Sequence, residues 1–244
     1  MLCVPEMQAH ALPAGISLAA AAALPVNYLT AYQLITVVGA LKPHETVLIH
    51  SAGGGVGIAA IQLAKRIGAR IIGTASTGKH ERLRAMGVDE CIDYRQEDFA
   101  ARTLALTNGR GVELILDAVG GKSFSRGYGI LAPTGRLGMF GMSAAATGPT
   151  KNLLSLLKAV ASMPLTAFNP VSLMNQNKAV FGVNMGHLWD EAPMVSRWMN
   201  TLLDEVREGA LAPQVDCSFP FEQAAEAHRY IQERRNFGKV LLTP

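Results

Sequence analysis

The feature that most constrains this chain is an apolar run that ends in glycine. Thr46-Val47-Leu48-Ile49-His50 is followed at once by Ser51-Ala52-Gly53-Gly54-Gly55-Val56-Gly57. The first part reads as a buried strand, rich in aliphatic and β-branched residues. The stretch from Gly55 to Ile67 reads as a helix, so the glycines fall where a strand must turn sharply into a helix. Strictly, the spacing is A-x-G-x-x-G, through Ala52, Gly54 and Gly57. Glycine there is expected to adopt positive φ and to let a pyrophosphate approach open backbone N–H groups. Gly57 is expected to bring the helix close to the strand, and the helix N-terminus adds partial positive charge. Ala52, Gly54, Gly55, Val56 and Gly57 are therefore the candidate pyrophosphate cradle. A ligand-free glycine turn, or a loop for S-adenosylmethionine, has a similar spacing. A nucleoside triphosphate loop is excluded, because no Gly-Lys-Ser/Thr follows.

The same rhythm continues beyond the loop. Strands are expected at Arg70 to Thr74, Glu90 to Tyr94, Val112 to Asp117, Gly135 to Phe140 and Ala179 to Val183. Helices are expected between them at Lys79 to Met86, Phe99 to Thr107, Ser123 to Leu131 and Lys151 to Ser162. This alternation predicts an α/β fold, a doubly wound parallel Rossmann sheet covered on both faces. A long helix is expected at Pro193 to Glu208. The character then changes to a strand at Val215 to Phe219, a helix at Phe221 to Glu233 and a last strand at Gly238 to Leu242.

The end of the second strand bears on the choice of dinucleotide. An acidic residue about 20 positions after the loop would bind a ribose 2′-hydroxyl. Here the window reads Thr74-Ala75-Ser76-Thr77-Gly78-Lys79-His80, with no carboxylate before Glu81. A donor at Ser76 and a cation at Lys79 suit a 2′-phosphate, which points to NADPH. A solvated lysine at a helix start is the lesser reading of Lys79. Tyr94 follows the third strand and is a candidate for the adenosine end. Val119, Gly141 and Met142, and Phe181 and Val183 lie at the carboxyl ends of later strands, where open α/β sheets bind ligands. Small residues around them suit a cofactor path. No Tyr-x-x-x-Lys occurs, which argues against the short-chain reductase mechanism.

Bulk properties narrow the alternatives. The 244 residues carry 49% apolar and 17% charged side chains, which suits a buried core rather than disorder. A net charge of +3, without basic runs interleaved with aromatics, gives no reason to expect nucleic acid. Cys3, Cys91 and Cys217 are far apart, and neither CxxC nor HExxH occurs, so no metal site is expected. Sparse cysteines and the lack of a signal-peptide pattern suit the cytoplasm. The stretch 14–41 is uncharged and long enough to be tested as a membrane span. Pro25, Asn27, Thr30 and Gln33 interrupt it, so two short buried helices with a break at Leu24-Pro25-Val26 are expected instead.

Several of these runs resemble the medium-chain dehydrogenase/reductase superfamily. They are 21–32 around Leu24-Pro25-Val26-Asn27-Tyr28, the loop from His50 to Gly57, Ile92-Asp93-Tyr94, and Asn236-Phe237-Gly238-Lys239-Val240-Leu241-Leu242. Within the superfamily they resemble the zinc-independent quinone oxidoreductases. The stretches 148–154, Asn169-Pro170 and Asn177 to Asn184 are similar to the branch containing the vesicle amine transport protein. The resemblance implies metal-free hydride transfer from NADPH to a quinone or an α,β-unsaturated carbonyl. It implies catalytic positions at Asn27 and Tyr28, cofactor contacts at Thr30 and Asn236, and a homodimer joined at sheet edges near the sixth strand. It also implies a barrel-like, GroES-like catalytic domain of which 1–26 would be a remnant. The Rossmann domain would then be 27–186, and 187–244 would hold a helix and the returning catalytic-domain segment. Because most of that catalytic domain lies outside the sequence, an NADPH-binding scaffold without turnover is the alternative reading.

Overall fold

A computed structural model describes residues 3–143 and 168–244. The expected helix Lys151 to Ser162 and the stretch 148–154 lie outside the described residues. Six strands form one parallel sheet: β1 (Thr46–Ile49), β2 (Arg70–Ala75), β3 (Glu90–Asp93), β4 (Val112–Asp117), β5 (Leu131–Met139) and β6 (Ala179–Gly182). Their order is β3-β2-β1-β4-β5-β6, so the strand order reverses between β1 and β4. In open α/β sheets that reversal opens a crevice at the carboxyl ends of the strands.

Period-two alternation explains why both faces are covered. Val47, Ile49, Ile71, Leu114 and Leu116 pack into one core, and Leu48, Ile72 and Ile115 into the other. The first core is closed by α2 (Pro25–Tyr32), α3 (Gly55–Ile67) and α8 (Ala192–Arg207). The second is closed by α5 (Phe99–Leu106) and α6 (Lys122–Gly129). Local signals set the helix ends. Asp98 caps α5 by accepting from Ala100 and Ala101 N–H, and Gly68 ends α3 at φ +84°.

The uncharged N-terminal stretch divides where proline requires it. A short α1 (Leu18–Ala23) stops before Pro25, which is the first residue of α2. The expectation of two buried helices holds for α2 alone. Within α1 just Ala23 is buried, and Leu18 is 82% exposed. Among the described residues, no helix is long and apolar enough to cross a membrane.

Strand β5 starts earlier than expected, at Leu131 instead of Gly135. Thr134 takes φ +64° and the β4–β5 register shifts between Val112 and Leu114, so the strand passes through an irregularity that a period-two pattern does not reveal. The described structure also includes α4 (His80–Ala85), which precedes β3, and α7 (Pro170–Gln176), which precedes β6. The C-terminal part forms a separate parallel pair, β7 (Val215–Pro220) and β8 (Lys239–Thr243), joined by α9 (Ala224–Gln232). It is fastened to the large sheet's crevice: Gly238 N–H donates to the Gly53 carbonyl at 3.0 Å, and Gly238 bridges Gly54.

Candidate dinucleotide-binding site

The turn from β1 into α3 is built around Ser51. Its N–H donates to the Thr74 hydroxyl at 3.3 Å, its carbonyl accepts from Gly54 N–H at 2.8 Å, and Ala52 N–H donates to the Thr74 carbonyl at 3.0 Å. The positive φ expected of the glycines falls on Ser51 instead, at +54°, and none of Gly53, Gly54, Gly55 and Gly57 takes one. Glycine is needed here for close approach. A Cβ on Gly57 would lie 2.5 Å from the Ser51 carbonyl oxygen and 2.6 Å from that of Ala52, so the helix meets the turn backbone to backbone. A Cβ on Gly55 would overlap the Asn27 amide, and one on Gly53 would lie 2.9 Å from Lys79 Cδ. Gly54 is the N-cap of α3 and no side chain caps it. The first-turn N–H groups of α3 therefore point outward without an intrahelical acceptor. This cradle has the space and the donors for a pyrophosphate.

Above the loop lies an open cleft of about 1380 Å³. Gly54, Gly55, Ser76, Lys79, Tyr94, Val119 and Asn236 all line it, so the structure brings together seven of the sequence-derived candidates. Lys79 donates from Nζ to the Asn236 carbonyl at 2.5 Å. Burial lowers the Lys79 ammonium below its ordinary value. Tyr94 lies near two guanidiniums, Arg95 at 5.8 Å and Arg234 at 5.6 Å from its ring centre. Burial alone would raise the Tyr94 phenol, but these arginines outweigh it and hold it below the usual tyrosine range. Glu233 lines the cleft and pairs with Arg235 at 3.6 Å, Asp216 near Lys79 accepts from the Tyr230 hydroxyl at 2.9 Å, and Asp93 is engaged too. It accepts from the Thr77 hydroxyl and from Arg95 N–H at 2.9 Å, and the Thr77 contact holds it below the usual carboxylate range.

Other candidates sit elsewhere. Tyr28, expected beside the nicotinamide as a catalytic group, is 2% exposed and donates its hydroxyl to Gln62 Oε1 at 3.0 Å. Its side chain belongs to the α2–α3 interface, and burial raises its pKa further. Asn27, one residue earlier, does reach the loop, with its amide against Gly55. Thr30, Ala52 and Val183 are buried in the body of the fold, and Val56 is half-buried in the first turn of α3. Phe181 lies against Gly138, whose Cβ would come within 2.7 Å of the ring. Gly141 and Met142 follow β5, and Met142 packs on Gly120.

Phe99, Arg126 and Arg234 are among the cleft residues that no motif marks, and His50 enters only as the residue that leads into the loop. His50 precedes the glycines and looks like the last residue of an apolar strand. Arg234 is far along the chain, in a φ +58° conformation that no pattern announces.

The comparisons agree with this geometry. The sequence profile of the family described as zinc-binding dehydrogenase matches residues 86–242. The synaptic vesicle membrane protein VAT-1 homolog of Rattus norvegicus is 38% identical over 242 residues, covering 99% of this chain and 59% of that protein. The chain thus spans somewhat over half the length of that relative. A Pseudomonas syringae quinone oxidoreductase structure superposes with a TM-score of 0.80 at 30% identity, covering 99% of this chain and 69% of the other. A mycobacterial protein solved in complex with NADPH superposes with a TM-score of 0.78 at 27% identity, covering 96% and 68%. The family's name raises the question of a metal. Among the described residues no group of three His, Cys, Asp or Glu side chains converges, and 144–167 contains none of these residue types. The donors present do not fit a zinc ion. With its reversed six-stranded sheet, its glycine cradle and a profile match over most of its length, the chain belongs to the zinc-binding dehydrogenase family of the medium-chain dehydrogenase/reductase superfamily.

Proposed function

We propose that this chain is the cofactor-holding part of an NADPH-dependent reductase that delivers hydride, without metal, to a quinone or an α,β-unsaturated carbonyl. The observation that carries the choice of NADPH is the cationic corner of Lys79, Arg95 and Arg234 around Tyr94, with the nearby carboxylates Asp93, Asp216 and Glu233 each already partnered. A ribose 2′-hydroxyl needs an acceptor, whereas a 2′-phosphate needs donors and positive charge. Bound NADPH supplies the hydride. The residues of this chain hold and orient it. Gly55 and Val56 offer N–H groups to the pyrophosphate, Ser76 and Lys79 grip the 2′-phosphate, and Asn27 sits against Gly55 where the path leaves the loop. The quinone or enone assignment draws on the quinone oxidoreductase among the structural neighbours.

The test is NADPH oxidation, followed at the nicotinamide absorbance, with a panel of simple quinones and enones. Turnover above a buffer control is expected. Tight NADPH binding without turnover would favour the second reading, a nucleotide-binding scaffold. Among the described residues strand β6 is an edge of the sheet, which supports pairing there in a homodimer. A monomer mass by light scattering would overturn that assignment. Three unpaired, well-separated cysteines suit a reducing, cytoplasmic setting.

A further inference from the structure

His50 closes the floor of the cleft and is 3% exposed. Its ring is held on two sides. Nδ1 lies 3.1 Å from the Thr74 hydroxyl, and the imidazole meets Phe99 edge-on with centroids 4.6 Å apart. Phe99 is fixed in turn under Arg126, whose guanidinium lies 4.7 Å from the ring centre and pairs with Asp98 at 2.5 Å. Nε2 is buried and has no hydrogen-bond partner among the described residues. A buried polar atom left unpaired is costly, and such an atom in a ligand cleft points to a group supplied from outside.

Hydroxyl bookkeeping at Thr74 fixes which kind of group. Thr74 is 2% exposed, and among the described residues the side-chain oxygen has two hydrogen-bond neighbours, Ser51 N–H and His50 Nδ1. The Ser51 N–H can donate but not accept. The hydroxyl proton therefore goes to Nδ1, and the neutral imidazole carries its own proton on Nε2. Burial, the largest influence on this ring, favours that neutral form over the pull of Asp117. The free atom is thus a donor waiting for an acceptor.

Connectivity says which part of the ligand arrives there. On the proposed reading, the pyrophosphate sits on the Gly54–Val56 turn and the 2′-phosphate at Ser76 and Lys79. Adenosine is bonded to both, so the base falls on an adjoining part of the lining, and His50, Phe99, Val119, Gly121 and Arg126 offer one, with Phe99 in contact with His50 and under Arg126. Phe99, Val119 and Gly121 give that part of the lining apolar surface for a purine, beside the polar His50 and Arg126. We infer that His50 reads the adenine base, donating from Nε2–H to a ring nitrogen of the purine. This rests on the dinucleotide reading above.

The probe is adenosine 2′,5′-bisphosphate, with reduced nicotinamide mononucleotide as a ligand lacking the purine. In His50→Phe, affinity for the bisphosphate should fall by about tenfold while that for the mononucleotide holds, and His50→Gln should recover most of the loss. Equal losses for both ligands, or no loss for either, would overturn the assignment to the base. Nitrogen-detected NMR of the unmodified protein gives an independent reading that needs no variant. The proton should reside on Nε2 of His50, and the Nε2 resonance should move when the bisphosphate is added. A proton on Nδ1, or an unmoved Nε2, refutes the inference. If the unmodified protein binds neither the bisphosphate nor NADPH, the dinucleotide reading itself fails, which is a different result from a silent His50.

Discussion

Lys79 shows how much a single side chain can carry. Its ammonium rests on the Asn236 carbonyl and its stem lies over Gly53, so it spans the glycine loop and the C-terminal segment. A 2′-phosphate offers a stronger, charge-assisted partner than a carbonyl. Lys79→Ala is expected to weaken NADPH binding by about 10- to 100-fold and to leave NADH nearly unaffected, so the ratio of the two affinities falls. Equal weakening of both, by fluorescence titration, would place Lys79 in a structural role. Gly54 gives the complementary case. Aspartate is a favourable N-cap, so Gly54→Asp should fold with an unchanged or higher melting temperature. Its carboxylate would occupy and repel the phosphate position, and NADPH affinity should drop by more than about 100-fold. Retained affinity would refute the loop assignment. Both residues were visible in the sequence, because glycine spacing and an acid-free window are local patterns. Ser51 and Arg234 were not. A positive φ on serine is imposed by the turn's hydrogen bonds, and the Arg234–Tyr94 approach joins segments far apart in the chain.

At the scale of elements, Arg136 on β5 is the clamp that sets the sheet against its lead-in. It donates to the carbonyls of Gly39 at 2.5 Å, Ala40 at 2.9 Å and Glu113 at 3.1 Å, and pairs with Glu45 at 2.6 Å. Both side chains are largely buried, at 13% and 19% exposure. Arg136→Leu leaves several acceptors unpaired and should cost about 3 kcal/mol in urea unfolding. Burial alone would raise the Glu45 carboxyl, yet Arg136 brings it below its ordinary value. A carboxyl depressed in the folded state adds stability above its unfolded pKa of about 4.3, and that contribution is lost as pH falls through the folded value. The wild-type protein should therefore lose stability steeply below about pH 4, and the variant less steeply. Parallel slopes would remove Glu45 from the acid response. Strands β1 and β4 were legible because continuous apolar runs mark strands buried on both faces. The start of β5 was not, because Pro133 and Thr134 interrupt the pattern while the chain still pairs with β4.

On the scale of the whole molecule, the cleft is where distant parts of the chain meet. The β1–α3 turn, the ends of β2, β3 and β4, and the segment leading into β8 all border it. Strand alternation in the sequence was enough to foresee the sheet, since right-handed crossovers leave few other arrangements. It did not foresee that Gly238 would join the loop at Gly53, because such a contact depends on the completed fold. A ligand touching all these segments binds the folded state and not the unfolded chain. At a concentration about 100 times its Kd it adds about 2.7 kcal/mol, or a rise in melting temperature of roughly 5–10 °C for a chain of this size. NADPH is expected to produce that shift, NADH at equal concentration a clearly smaller one, and Gly54→Asp none with either. Equal shifts from the two cofactors would overturn the 2′-phosphate assignment while preserving the dinucleotide. No shift from either would remove the dinucleotide reading, and with it the role given to every residue around the cleft.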